Sequence, residues 1–191
     1  VAGYRPRMRV GLHTGTPVGA LAMDVTPEYS TLPDEGVDFI GKFLPNAKFV
    51  YVIRHPVDRA ISQMRMNMRR LKRTPRTDDD WKAEVEDPVL MDRGDYATYV
   101  PRWRARFGPD RLLILPFGQI AADPQGLLRR IEEFLGLAPH GTYRGADQKV
   151  FASEGGPSVP PEVRAKLREK LEPQFAFLEA EFGPEFTRAC R

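Results

Sequence analysis

An α/β fold, a parallel sheet covered by helices, is the class this sequence predicts. Two observations carry it. Lys48-Phe49-Val50-Tyr51-Val52-Ile53 and Leu112-Leu113-Ile114-Leu115 are compact apolar runs with the length and composition of buried strands. Helical patterns separate them, so the strands are joined by a crossover and lie parallel. The chain has 191 residues, 41% of them hydrophobic, enough for one sizeable core, and a single domain over 1–191 is the default.

The elements follow in order. Residues 1–20 show no period and read as irregular chain or a fragment edge. Leu21 to Val25 suits a short strand, and a helix is expected from Glu35 to Phe43, stopped by Pro45. The strand at Lys48 to Ile53 lies between Pro45-Asn46 and Arg54-His55-Pro56. Pro56 suits the first helical turn, where its missing N–H costs nothing, and Asp58 favours the positive end of a helix running to about Lys72. Arg73 to Asp80 reads as a polar connection, followed by a short helix near Trp81 to Val85. Asp95 is a cap for a helix from Tyr96 to Phe107, with Tyr96, Tyr99, Val100, Trp103 and Phe107 inward and a bend expected at Pro101. The second strand falls within Arg111 to Phe117. Pro124 to Leu135 is a helix with Leu127, Leu128, Ile131, Phe134 and Leu135 inward and Gly136 as its stop. From Pro161 a long helix carries Val163, Leu167 and Leu171, with a kink expected at Pro173.

Bulk properties narrow the classes. No stretch approaches the roughly 18 apolar residues of a membrane span, and no secretory signal pattern opens the sequence. The lone Cys190 rules out an internal disulfide and fits a reducing cytoplasm. His13, His55 and His140 are scattered without ligand spacing, so no metal site is expected. The net charge of +3 is modest. Its distribution is not: eight Lys or Arg face one acid, Asp58, between Arg54 and Arg76, whereas Asp78 to Asp92 is acid-rich. The first stretch is either a local anion site or a solvated basic helix.

In an α/β sheet ligands sit beyond the carboxyl ends of the strands, which points to Arg54-His55-Pro56-Val57-Asp58-Arg59-Ala60-Ile61-Ser62. Arg54 stands at the strand exit and Ser62 two turns into the helix. A guanidinium fork, the unpaired amides of a helix start and a hydroxyl together make a phosphate clamp. The plain structural reading makes Arg54 a salt-bridge partner and Ser62 a small helix residue.

This stretch resembles the 3'-phosphate-binding segment of sulfotransferases that use 3'-phosphoadenosine 5'-phosphosulfate. The resemblance implies that Arg54 and Ser62 bind that cofactor, with Arg59 in a supporting role. Asp24-Val25-Thr26-Pro27-Glu28-Tyr29-Ser30 is similar to the segment that precedes this strand in bacterial and heparan-type members. Gly94-Asp95-Tyr96, Arg102-Trp103, Phe107-Gly108, Asp123-Pro124 and Phe134-Leu135-Gly136-Leu137 follow the family's downstream order. The implied fold is a P-loop-type parallel sheet flanked by helices, N-terminally incomplete. The implied reaction passes a sulfuryl group to a hydroxyl or amine of a small-molecule or glycan acceptor, yielding adenosine 3',5'-bisphosphate.

Such chemistry needs a base near the acceptor and neutralisation of the leaving phosphate. The resemblance makes Asp24 the base; the alternative is that it caps the turn at Thr26-Pro27. Relatives often carry Lys beside that carboxylate, where this chain has Val25. The family's Lys-, Gly- and Thr-containing 5'-phosphosulfate loop is not seen upstream, and Gly11-Leu12-His13-Thr14-Gly15-Thr16 lacks its strand and Lys. The late nucleotide loop falls near Ser153 to Ser158, where the amides of Gly155 and Gly156 can approach a phosphate and Lys149 or Ser158 can assist. Two rival readings stand beside the enzyme: a non-catalytic nucleotide- or sulfated-ligand-binding remnant of the fold, and a nucleic-acid binder on Arg65, Arg69, Arg70, Lys72 and Arg73.

Overall fold

The computed structural model describes residues 26–72, 78–146, 148 and 158–191. The expected strand at Leu21 to Val25 lies outside them. A 3-10 turn, Pro27–Thr31, leads into α1 (Asp34–Phe43), β1 (Phe49–Ile53), α2 (Pro56–Arg70), α3 (Asp78–Val85) and α4 (Pro88–Asp92). Then come α5 (Tyr96–Arg111), β2 (Leu112–Pro116), α6 (Gln119–Ala122) and α7 (Pro124–Leu135). The chain closes with α8 (Pro161–Lys170), α9 (Glu172–Phe182) and α10 (Pro184–Ala189).

β1 and β2 pair in parallel, with Phe49 opposite Leu112 and Ile53 opposite Pro116, as a crossover through α2 to α5 requires. The helices pack in three apolar clusters around this pair. α2, α3, α4, α8 and α9 share one, built on Ile61, Met64, Trp81, Leu90, Val163, Leu167 and Phe175. Ile53, Tyr96, Val100 and Leu178 form a second, beside the carboxyl end of β1. Val37, Trp103, Phe107 and Leu112 form a third under α1. The inward residues expected of α5 are all buried, as are Val163, Leu167 and Leu171 of α8 and its end. Met64 and Met68 are buried in the first cluster, so these two thioethers serve packing.

Several expectations need correction. β1 is not buried on both faces: Val50 and Val52 are 38% and 41% exposed, since the described helices cover only the face of Phe49, Tyr51 and Ile53. The apolar face of α7 is only half-buried. Helix α3 begins at Asp78, inside the expected polar connection, because a run of acids suits the positive start of a helix. In α5 the helical geometry breaks at Gly108, with φ of 62°, rather than at Pro101, which lies on the exposed face. The long C-terminal helix is two helices divided at Leu171, and Pro173 opens the second of them, where a missing N–H costs nothing. Among the described residues no helix is long and apolar enough to cross a membrane.

Candidate functional site

The exit of β1 is fixed by three hydrogen bonds to its main chain. The Phe117 amide donates to the Ile53 carbonyl at 2.8 Å, extending the ladder one step past β2. The Tyr96 hydroxyl donates to the Arg54 carbonyl at 2.9 Å, and the His55 amide donates to the Cys190 carbonyl at 2.8 Å. With its backbone held, Arg54 lays its half-buried guanidinium over the Phe117 ring, 4.7 Å from the centroid. That cation–π contact orients the fork while leaving its N–H donors available to an anion.

Pro56 then opens α2. Val57, Ala60, Ile61, Met64 and Met68 make its buried stripe. Ser62 is half-buried on the polar row shared with Asp58, Arg65 and Arg69, at spacings of four, three and four. The arrangement therefore puts a cationic fork, a helix start and a hydroxyl on consecutive elements at the carboxyl end of the sheet.

Arg59 packs against the segment that carries Leu90 and Gly94. It donates to the Leu90 carbonyl, and its guanidinium lies flat on Gly94, where a Cβ would stand 3.1 Å from Nε. Its Nε is buried and has no hydrogen-bond partner among the described residues. Burial holds the Arg59 pKa below the usual guanidinium range; the Tyr96 phenol works against this, while the charges of Arg93 and Arg54 add to the depression. Arg59 thus feels the positive charge of both Arg93 and Arg54.

Two phenols lie close enough to act on Arg59. Burial pushes the Tyr51 phenol up to about 12, against the opposing effect of a hydrogen bond with Ser30 of the 3-10 turn. Burial raises Tyr96 as well, so it stays a neutral donor to Arg54. His55 is buried edge-on to Phe175, ring centroids 5.0 Å apart. Its Nδ1 lies 3.4 Å from Asp58 Oδ2 without a hydrogen bond. Burial holds its pKa below the ordinary histidine value despite Asp58, and Arg191 and Arg168 push the same way. His55 is therefore neutral at pH 7 and brings no charge to the clamp.

The sequence reading missed Arg93, Gln63 and Glu28. Arg93 Nη1 donates to Gln63 Oε1 and Nη2 to Glu28 Oε1, each at 3.0 Å. Gln63 Nε2 donates to Asn67 Oδ1 at 2.8 Å. The only advance signal was the spacing of Arg59, Gln63 and Asn67, four apart on one row of α2. Asp24, Gly155, Gly156 and Lys149 lie outside the described residues, and Ser158 is exposed. Among the described residues no group of three or more His, Cys, Asp or Glu is placed to hold a metal ion.

A strand-exit arginine running into a helix start in a parallel sheet defines an α/β protein with a cationic fork at the carboxyl end of its sheet. The model of the sulfotransferase family matches residues 21–140, and the chain belongs to that family. It is 27% identical over 132 residues to heparan sulfate glucosamine 3-O-sulfotransferase 3B1 of Mus musculus, covering 62% of this chain and 32% of that one. It is 28% identical over 126 residues to the bifunctional heparan sulfate N-deacetylase/N-sulfotransferase 3 of Homo sapiens, covering 59% and 14%. The chain thus spans about a third or less of the length of these relatives. Its fold is similar to the crystal structure of a sulfotransferase from Alicyclobacillus acidocaldarius, with a TM-score of 0.66, 23% identity and coverage of 85% of this chain and 65% of that one.

Proposed function

We propose that this chain carries the 3'-phosphate and acceptor-side parts of a site for sulfuryl transfer from 3'-phosphoadenosine 5'-phosphosulfate to a hydroxyl or amine. The observation that carries the proposal is the pinned exit of β1, which sets the Arg54 fork on the Phe117 ring two residues before α2 begins. The donor set suits a phosphate: the Arg54 fork binds two oxygens, the helix start adds amides and positive dipole, and the Ser62 hydroxyl donates once more. Arg59 contributes positive potential from beneath, and the amides of Gly155 and Gly156 serve as further donors.

Asp24 is proposed as the base that takes the acceptor's proton, in the segment leading to the 3-10 turn. The bound donor supplies the sulfuryl group, whose bond to the leaving phosphate breaks as the bond to the acceptor forms. The heparan sulfate enzymes among the relatives make a glycan the first acceptor class to try.

Calorimetric titration with adenosine 3',5'-bisphosphate tests the reading. Saturable binding, weakened at least tenfold in Arg54→Ala, is the expected result, since a hydrogen-bonded charge contributes about 1.5–3 kcal/mol. No binding, or equal binding by the variant, would refute it.

A further inference from the structure

Helix α2 carries Ser62 of the proposed site, and the 3-10 turn Pro27–Thr31 follows the proposed base Asp24 in the chain. The side chain of Arg93 joins these two elements. The row Arg59, Gln63 and Asn67 on α2 is held at each step by the segment 87–94. Arg59 donates to the Leu90 carbonyl, Gln63 accepts from Arg93, and Asn67 Nδ2 donates to Asp87 Oδ2 at 3.4 Å. Asp87 in turn caps α4 by accepting from the Val89 amide at 2.9 Å. The first and second steps are partly buried, and Gln63 is 9% exposed, so its amide is held at both ends in one orientation.

Arg93 stands at the middle step and alone among these residues reaches outward, to Glu28 in the 3-10 turn. Its side chain is 23% exposed and its two Nη atoms are divided between the two elements. A planar fork can bridge two acceptors at a fixed spacing, whereas an ammonium on a flexible stem cannot. Gln63 adjoins Ser62 in the helix, so the spacing fixed by Arg93 is the spacing between the turn and the serine's stretch of α2.

We infer that Arg93 is a positioning residue for the transfer step, holding the wall that carries Glu28 at a set distance from α2. The inference rests on the sulfuryl-transfer reading. In-line transfer tolerates little misplacement, and a shift of about 1 Å can cost on the order of a hundredfold in rate. Arg93 acts through Glu28 and Gln63 and touches neither reactant.

The test compares the unsubstituted protein with Arg93→Met, Arg93→Lys, Glu28→Gln and the double variant Arg93→Met/Glu28→Gln. Turnover is read with 3'-phosphoadenosine 5'-phosphosulfate and an N-sulfated heparan oligosaccharide, or as donor hydrolysis by water if no acceptor responds. Amide hydrogen exchange at Tyr29 and Leu32, which close the 3-10 turn on Thr26 and Tyr29, is followed in parallel. Arg93→Met is expected to lower kcat about tenfold or more, with donor KM changed less than about twofold and faster exchange at both amides. Arg93→Lys recovers part of the rate, and the double variant is no slower than Arg93→Met, because both act on one link. Unchanged kcat, unchanged exchange, or a raised donor KM with intact kcat would overturn the inference. Absence of both nucleotide binding and turnover in the unsubstituted protein would instead defeat the transfer reading, and the positioning role with it.

Discussion

The Tyr96 hydroxyl donates a 2.9 Å hydrogen bond to the carbonyl of Arg54, joining the first residue of α5 to the strand exit that carries the proposed phosphate fork. The tyrosine is itself anchored. Asp95 caps α5 by accepting from the Thr98 amide at 3.2 Å, and it also accepts from Gln174 of α9 at 2.9 Å. Tyr96→Phe keeps the ring and removes the donor. It is expected to lower stability by about 1–2 kcal/mol, because a partly buried carbonyl loses its partner, and to weaken nucleotide binding less than Arg54→Ala does. Urea midpoints and the bisphosphate titration check the two parts.

Arg54→Lys separates charge from fork. The charge survives, but the planar pair of donors and the stacking on Phe117 are lost. Affinity for adenosine 3',5'-bisphosphate is expected to fall about tenfold, between the unsubstituted protein and Arg54→Ala. Equal affinity in the lysine variant would show that a point charge suffices there.

Gly118 and Gly41 are expected to answer a methyl group in opposite ways. At Gly118 the Ala189 amide-plane oxygen would stand 2.5 Å from the new Cβ and the Arg191 carbonyl carbon 2.7 Å. Both are main chain, so the end of α10 has to retreat, and the Gly118 amide's 2.9 Å bond to the Ala189 carbonyl is strained with it. Gly118→Ala should cost about 1–3 kcal/mol. At Gly41, inside α1, a Cβ meets only the Phe107 ring, at 3.4 Å, and Gly41→Ala should be neutral or gain up to about 0.5 kcal/mol from lost chain freedom. Thermal midpoints of the two variants decide the matter.

His55 sets a pH dependence of stability. Burial lowers its folded pKa, so below about pH 6.5, where the unfolded histidine titrates, the unfolded chain binds more protons. Its contribution is therefore fully present above that pH and is lost as pH falls toward the folded pKa. The denaturation midpoint of the unsubstituted protein should drop more between pH 7 and pH 5 than that of His55→Gln. The carboxylate of Asp58, 3.4 Å away, limits the drop, whereas Arg168 and Arg191 enlarge it. Parallel midpoints in the two proteins would show that His55 is not the group involved.

The strands and most of the helices were legible because their signals are local. Pro56, Asp95 and Gly136 mark helix ends by their own backbone or side-chain chemistry, and each does so in the structure. The short helices α4, α6 and α10, of five, four and six residues, were missed because so few turns leave no period to read. The division at Leu171 was misplaced for a related reason. A proline in the sequence looks the same whether it bends a helix or begins one, and only the main chain around it decides.

The sequence by itself determined the parallel α/β plan, the strand-exit position of Arg54 and the place of Ser62 in the helix after it, since strand and helix periodicity and a proline at a helix start act over a few residues. Tertiary structure alone decided what holds that exit and which polar groups meet. Tyr96 reaches Arg54 across 42 residues, and Arg93 reaches Gln63 across 30 and Glu28 across 65. No local pattern encodes such pairs, because they exist only once packing has brought distant segments of chain within a hydrogen bond of each other.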